Sequence, residues 1–327
     1  MVSVNASVES YGAYVPRLRV DASEFEEAWG SFDARGVNEK AVPDADEDAV
    51  TMAVEAVEDA LGRSSYDRED VETLVLGTTT PPLEEGEVGA QVAEIVGFEE
   101  SVGVVAHTGS TRAGVRSLVT AAGSVDEGDV AIAVAADCPF GSPDSSIDHA
   151  AGAGAVGFVV CAGDAGAVTV DETASHTQEF SGTRYRERGE RNVEKYGATA
   201  YERDAYTTVV SEAYAAVGAN DTALAPTAPD ADMPYRAARS VGVEAYETAS
   251  SLGDTGAASA FFGVLEAWRN DEDDVTAVGY GDGASADAVR LVGSLSGEWG
   301  RAETVSITYT EYLRRRGHIV GDAEGDA

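Results

Sequence analysis

Short apolar runs bounded by turn residues recur along this chain. They alternate with longer stretches in which apolar positions return every three or four residues. Residues 71–77 (VETLVLG), 130–135 (VAIAVA), 157–161 and 275–280 follow the first pattern and predict buried strands. Residues 47–61 follow the second, with Val50, Val54, Val57 and Leu61 on one face of a helix. Further helices are predicted over 88–96, 113–122, 234–241 and 257–268. Strands alternating with helices predict an α/β layered fold in which both faces of the sheet are covered.

An internal repeat sharpens that expectation. Gly109-Ser110-Thr111-Arg112-Ala113 opens a predicted helix, and a strand ending at Asp137 follows 26 residues after Thr111. Gly253-Asp254-Thr255-Gly256-Ala257 opens another, and Asp282 follows 27 residues after Thr255. Two matched halves of this kind fit the chain length. They would bring both helix N-termini, with their free N–H groups, to one shared interface.

Charge narrows the function classes. The 327 residues carry 59 acidic side chains against 22 basic ones, a formal net charge of −37, and Lys40 and Lys195 are the only lysines. Nucleic acid is excluded as a partner, because phosphate backbones are held by clustered Lys and Arg. Acidic excess with so little lysine is the expected signature of a salt-loving archaeon. In molar salt the screening length falls to about 3 Å, and a crowded acidic surface repels itself little. Apolar residues make up 43% of the chain, enough for a substantial core. No apolar run reaches the roughly 18 residues of a membrane span, and no signal-peptide pattern opens the chain, so a cytoplasmic protein is expected. Cys138 and Cys161 form neither a disulfide framework nor a four-ligand zinc site, and no metal is expected.

Several segments carry a resemblance: 10–20 (SYGAYVPRLRV), Trp29-Gly30, 39–43 (EKAVP), 46–56 (DEDAVTMAVEA), 233–243 (MPYRAARSVGV), 253–260 (GDTGAASA), 279–288 (GYGDGASADA) and 309–317 (YTEYLRRRG). Together they resemble the archaeal hydroxymethylglutaryl-CoA (HMG-CoA) synthase branch of the thiolase superfamily, over nearly the whole chain. The resemblance implies a thiolase-like α/β fold. Its two duplicated βαβ halves, residues 1–165 and 166–327, would form a five-layer αβαβα sandwich. It also implies coenzyme A or an acyl-CoA as a ligand.

In that family a Cys carries the acyl group, a Glu serves as acid and base, and a His assists condensation. Here the Cys-Lys-Ala-Gly motif reads Thr111-Arg112-Ala113-Gly114. The Glu segment reads Gly77-Thr78-Thr79-Thr80-Pro81, with Thr79 at the Glu position, and the His-Gln-Pro motif reads Thr227-Ala228-Pro229. A threonine hydroxyl is not ionised near neutrality, attacks only with a base beside it, and cannot act as a general acid or base. On the ligand side the resemblance implicates Arg112, Lys195, Arg236, Asp254 and Asp282. Asp232 stands for a family Lys, Asp254 for the Asn of Gly-Asn-Thr, and Asp282 for the Ser of Tyr-Gly-Ser. A carboxylate beside a CoA phosphate or a developing oxyanion is repulsive.

Cys138 follows an apolar strand and reads as a small buried hydrophobe or, alternatively, as a relocated acyl carrier paired with His149 or His107. Cys161 reads as packing, and His176 and His318 as solvated. Asp137, Asp230, Asp232, Asp254 and Asp282 read as chance clustering in an Asp-rich chain rather than as a cation site. The arginines 184, 186, 188 and 191, with Glu187, Glu190 and Glu194 among them, read as a solvated, ion-paired helix face, with CoA phosphates or a partner as the alternative. The run 314–316 anchors a partner chain or closes the last strand.

The segments GSTRAG, VAADC and YGDGA most resemble a sub-branch in which the nucleophilic Cys is replaced. Members of it are associated with OB-fold/zinc-ribbon proteins and thiolases. Because little chain follows residue 313, such a partner is expected as a separate polypeptide, alongside a homodimer or heteromer. The expected function is a non-condensing acyl-CoA-binding or scaffolding subunit. The alternative is an acyl-CoA-processing enzyme (a synthase-type acyltransferase, or a lyase or aldolase) with rebuilt catalytic residues.

Overall fold

The structure is a computed structural model and describes residues 2–196, 198–218, 220–300 and 303–319. In chain order the first elements are β1 (Val2–Tyr14), β2 (Leu18–Asp21), α1 (Ala22–Trp29), β3 (Glu39–Val42), α2 (Ala49–Gly62) and β4 (Val71–Gly77). Next come α3 (Val88–Val96), β5 (Gly103–His107), α4 (Ala113–Ala122), β6 (Val130–Asp137), α5 (Ser146–Ala150) and β7 (Gly154–Ala162). The chain continues with β8 (Val168–Phe180), α6 (Thr199–Ala216), β9 (Ala223–Pro226), α7 (Met233–Val241) and α8 (Ala249–Leu252). It closes with α9 (Ser259–Arg269), β10 (Asp274–Gly281), β11 (Gly283–Val292), β12 (Val305–Ser306) and α10 (Tyr309–Arg315).

Nine strands form one sheet in the order β5-β4-β6-β7-β1-β8-β11-β10-β9. Its two ends are parallel, β5-β4-β6 and β10-β9, and its middle is antiparallel. The strand period of two explains the layering. Leu74, Leu76, Ile132 and Val134 face the cluster under α2 and α3, whereas Val75, Ala131, Ala133 and Ala135 face α4 and α9. Val275, Ala277, Val289 and Leu291, from the other end of the sheet, reach the same α4–α9 layer. Val278, Tyr280, Ala286 and Ala288 face α6 and α7 on the far side. The sheet therefore wraps around α4 and α9 and gives five layers, αβαβα, the architecture expected above. Burial on both faces also explains why all eight residues of β6 are buried.

Strand β4 and helices α3 and α4 coincide with the expected ranges. Helix α2 starts two residues later than its apolar stripe implies, because the Asp48 carboxylate accepts from Val50 N and Thr51 N and caps it there. The last predicted helix opens as a 3-10 turn, Gly256–Ala258, before α9.

The chain end closes a small sheet, β12-β2-β3, by laying Tyr309 and Tyr312 of α10 against Phe25, Leu18 and Val20. Arg315 pairs with Asp44, and Arg316 reaches the Pro139 carbonyl and lies over the Phe140 ring. Both arginines serve contacts within this chain. Lys40 lies beneath α10, 1% exposed, donating to the Asp148 carbonyl and, at 3.2 Å, to the Tyr312 hydroxyl. Burial drives its ammonium down to about 7; Asp148 opposes the shift and Arg316 adds to it. That value lies below the ordinary 10.5. Between the two, the unfolded chain binds a proton that the folded chain has released, so stability rises with pH. Lys40→Met is expected to remove that rise, up to about 1.4 kcal/mol per pH unit, in denaturant titrations at pH 7, 8 and 9. Equal slopes in the two proteins would refute it.

Candidate functional site

Two cavities meet at the junction of the layers. The larger, about 430 Å³, is enclosed by the loop before β3, α5, α6, α7 and the turns before α9 and after β10. The smaller, about 130 Å³, is lined by Thr79 after β4 and by Gly109, Ser110 and Thr111 before α4. A strap formed by residues 181–196, following β8, crosses over both. Tyr185 and Glu194 pair across it, the Tyr185 and Tyr196 rings stack at 4.8 Å, and Val193 N donates to the Phe140 carbonyl at 2.7 Å. Arg186 reaches the Thr79 carbonyl at 3.0 Å.

This strap overturns the helix-face expectation for arginines 184–191, because the segment is irregular and Arg184 points inward. The Arg184 side chain is 12% exposed; its Nη1 meets Asp254 Oδ2 at 2.6 Å, and its Nη2 is buried without an acceptor. Arg188 pairs with Glu84 at the surface, and Arg191 lies over the Phe140 ring.

The three threonines at the expected catalytic positions divide. Thr111, 3% exposed, donates its hydroxyl to the Tyr280 carbonyl at 2.5 Å, and Thr227 accepts from Tyr280 N at 3.0 Å. The two side chains thus hold the N–H and the carbonyl of one residue of β10, Tyr280. Thr79 donates its hydroxyl to Asp137 Oδ2 at 2.8 Å. Thr111 and Thr79 line the smaller cavity, and Thr227 lines neither.

Asp137, fully buried at the end of β6, organises the loop after β4. It accepts from the Thr78, Thr79 and Thr80 hydroxyls, from Thr79 N and Thr80 N, and from Ala257 N at 2.7 Å. Burial pushes its carboxyl up, against the pull of these donors. The acid that ends the first repeat therefore holds the helix start of the second. The two helix starts also approach each other, since Gly114 at the start of α4 lies against the Ala257 carbonyl.

The candidate replacements lie elsewhere. Cys138 is 4% exposed, sits in the cluster under α2 and α3, and has its thiol pushed up by burial. Neither histidine is among its hydrogen-bond partners; its neighbour is Thr80, at 3.7 Å. His149 is fully buried: Nδ1 accepts from Asp33 N at 2.8 Å, the ring stacks on Phe32, and burial lowers its basicity. His107 shares a hydrogen bond with Thr120 at 2.8 Å. None of the three lines either cavity.

Four of the five residues implicated in ligand binding do meet at the larger cavity: Lys195, Arg236, Asp254 and Asp282. Lys195 pairs with Glu202 at 3.1 Å and Arg236 with Asp232 at 2.6 Å. Arg112 instead faces Asp287 of β11 at 3.7 Å, alongside Arg116. The larger cavity gathers Arg35, Arg184, Lys195, Arg203 and Arg236 against six carboxylates. In a chain of net charge −37, it is a place where a phosphate-bearing ligand meets little net repulsion. Asp282 lies between Arg184, Asp254 and Glu202, and burial lifts its carboxyl to about 6, opposed by Arg184 and Thr183. Asp230 and Asp232 are tied to local backbone and to Arg236. Among the described residues no group of His, Cys, Asp and Glu has the arrangement of a metal site, and no helix is long and apolar enough to cross a membrane.

No family model matches the chain. It is 35% identical over 158 residues to a hydroxymethylglutaryl-CoA synthase of Thermococcus onnurineus, a match spanning 48% of this chain and 45% of that relative. With the hydroxymethylglutaryl-CoA synthase of Methanosarcina barkeri it shares 27% identity over 95% of this chain and 98% of that one. Its fold matches an HMG-CoA synthase complexed with CoA at a TM-score of 0.83 and 14% identity, over 95% of this chain and 90% of the other. It also matches MvaS in complex with 3-hydroxy-3-methylglutaryl coenzyme A, at a TM-score of 0.82 and 18% identity, over 100% of this chain and 94% of the other. The chain therefore has the fold of these HMG-CoA synthases and is similar in sequence to archaeal hydroxymethylglutaryl-CoA synthases over nearly all of its length.

Proposed function

We propose that this protein binds an acyl-CoA in the larger cavity and does not carry out Cys-dependent condensation. The observation that carries this is the state of Thr111, which stands where the family resemblance places the nucleophile. Its hydroxyl is buried, its proton is donated to the Tyr280 carbonyl, and none of its hydrogen-bond partners is a base. Support for the ligand comes from the five cations of the larger cavity and from the CoA and HMG-CoA held by the two fold neighbours. The proposal extends to assembly. Strand β5 ends the large sheet with Val105 37% exposed, an open edge suited to a second copy of this chain or to an OB-fold/zinc-ribbon partner.

Calorimetry with CoA and acetyl-CoA in molar KCl, followed by intact-mass analysis, tests the proposal. Saturable binding without an acetyl adduct is expected, under conditions that acetylate a Cys-containing HMG-CoA synthase. Absence of binding, or an adduct on Thr111 or Cys138, would refute it. Light scattering on the same sample reads the assembly, and a persistent monomer with no partner would remove that part.

A further inference from the structure

We infer that Asp282 and Arg184 form a hydrolytic centre for acyl thioesters, with water supplied from the smaller cavity and the thioester presented from the larger one. The inference rests on the acyl-CoA-binding proposal above and adds a reaction to it.

Arg184 and Asp282 are the two residues shared by the linings of both cavities, so they stand at the wall where the cavities meet. Each offers what the other lacks. The buried Arg184 Nη2 has N–H groups and no acceptor, whereas its Nη1 is held in place by Asp254. A fixed, unpaired donor of this kind is suited to an oxygen on which negative charge develops. Asp282 is the one carboxylate among the residues lining the smaller cavity.

The remaining walls of that cavity favour water. Thr79 and Thr111 line it beside Ser110, and because they donate their hydroxyl protons to Asp137 and Tyr280, each oxygen keeps lone pairs for a further donor. A volume of about 130 Å³ has room for a few waters, at roughly 30 Å³ each. The exchange of an acyl-carrying residue for threonine thus converts a nucleophile position into part of a hydroxyl-lined chamber.

In the reaction, the oxygen of a water in this chamber attacks the thioester carbonyl carbon while its proton passes to the Asp282 carboxylate. The carbonyl oxygen becomes an oxyanion and is met by Arg184 Nη2. Collapse re-forms the carbonyl and breaks the C–S bond, and the departing sulfur takes the proton from Asp282. The products are a carboxylic acid and a free thiol, and water is the only co-reactant. Asp282 must be ionised to begin, so turnover rises with pH through about 6. The charged and titratable groups facing it are Arg184 on the strap, Asp254 before α9, Glu202 on α6 and Tyr280 on β10.

The test follows acetyl-CoA incubated with the full chain in molar KCl, with free CoA measured by chromatography and binding by calorimetry on the same preparation. Wild type is expected to release CoA without an acetyl adduct on the protein, at a rate that falls below pH 6. Asp282→Asn is expected to bind acetyl-CoA and release CoA about 100-fold more slowly or less. Asp282→Ser, checked for folding by circular dichroism, is expected to behave likewise. Binding without release by wild type would overturn the inference and leave acyl-CoA binding standing, whereas failure to bind would remove both. Release that is undiminished in both variants, or unchanged at pH 5, would also overturn it.

Discussion

Gly114→Ala is expected to destabilise the protein by at least about 3 kcal/mol, and to leave little folded material if the layers cannot part. Gly114 is the second residue of α4, where alanine would ordinarily gain up to about 1 kcal/mol over glycine. Here a Cβ would lie 1.9 Å from the Ala257 carbonyl oxygen and 3.1 Å from Ala135 Cβ. Retreat of the carbonyl is opposed because residue 257 is held at its N–H by Asp137. Steric overlap in the central layer therefore decides the sign. Gly62→Ala supplies the contrast, since a Cβ there meets nothing within 4 Å. Thermal melts of the two variants in molar KCl are expected to differ by many degrees. Indistinguishable midpoints would show that α4 and α9 can separate at little cost.

A loss of comparable size is expected for Asp137→Ala. Removing the carboxylate leaves the Thr78, Thr79 and Thr80 hydroxyls and the Thr79, Thr80 and Ala257 N–H groups without their acceptor, several of them away from water. Each stranded buried donor costs about 1–3 kcal/mol, so the total exceeds about 4 kcal/mol even after the loop relaxes. Asp137→Asn retains one acceptor oxygen but must turn an N–H₂ toward other donors, and is expected to lose less. Denaturant unfolding, with hydrogen exchange at the Ala257 amide, measures both. Wild-type stability in Asp137→Ala would mean that water replaces the carboxylate without penalty.

How far the sequence could be followed depended on what each segment packs against. Strand β4 and helices α3 and α4 are legible because their apolar periods are set by burial alone. Strands β1 and β8 are not, because Ser, Asn, Glu and Thr fill many of their positions, although they lie at the centre of the sheet. Helix α6 hides in the same way, its buried stripe consisting of Ala205, Tyr206, Val209, Val210, Ala213 and Tyr214. At the site, Thr79, Thr111 and Asp282 line the smaller cavity, and Asp254 and Asp282 line the larger. Arg184 does not announce itself. Nothing local separates it from Arg186 or Arg188; its burial comes from a strap fixed by Phe140 and by the tyrosine stack. Cys138 and His149 show the converse. Nearness in sequence put them by one loop, but Cys138, just after β6, packs in the α2–α3 layer, and His149 is taken up by Phe25 and Phe32.

The position of β1 also constrains the order of assembly. Strand β1 pairs with β7 on one edge and β8 on the other, and neither partner exists until residues 154–180 have been made. During translation, β1 must wait with both edges unsatisfied while more than a hundred residues follow it from the ribosome. Such a wait exposes an emerging chain to mispairing, and a strand in which Ser3, Asn5, Ser7 and Glu9 alternate with Val2, Val4, Ala6 and Val8 tolerates it with less tendency to aggregate than a continuous valine and isoleucine run.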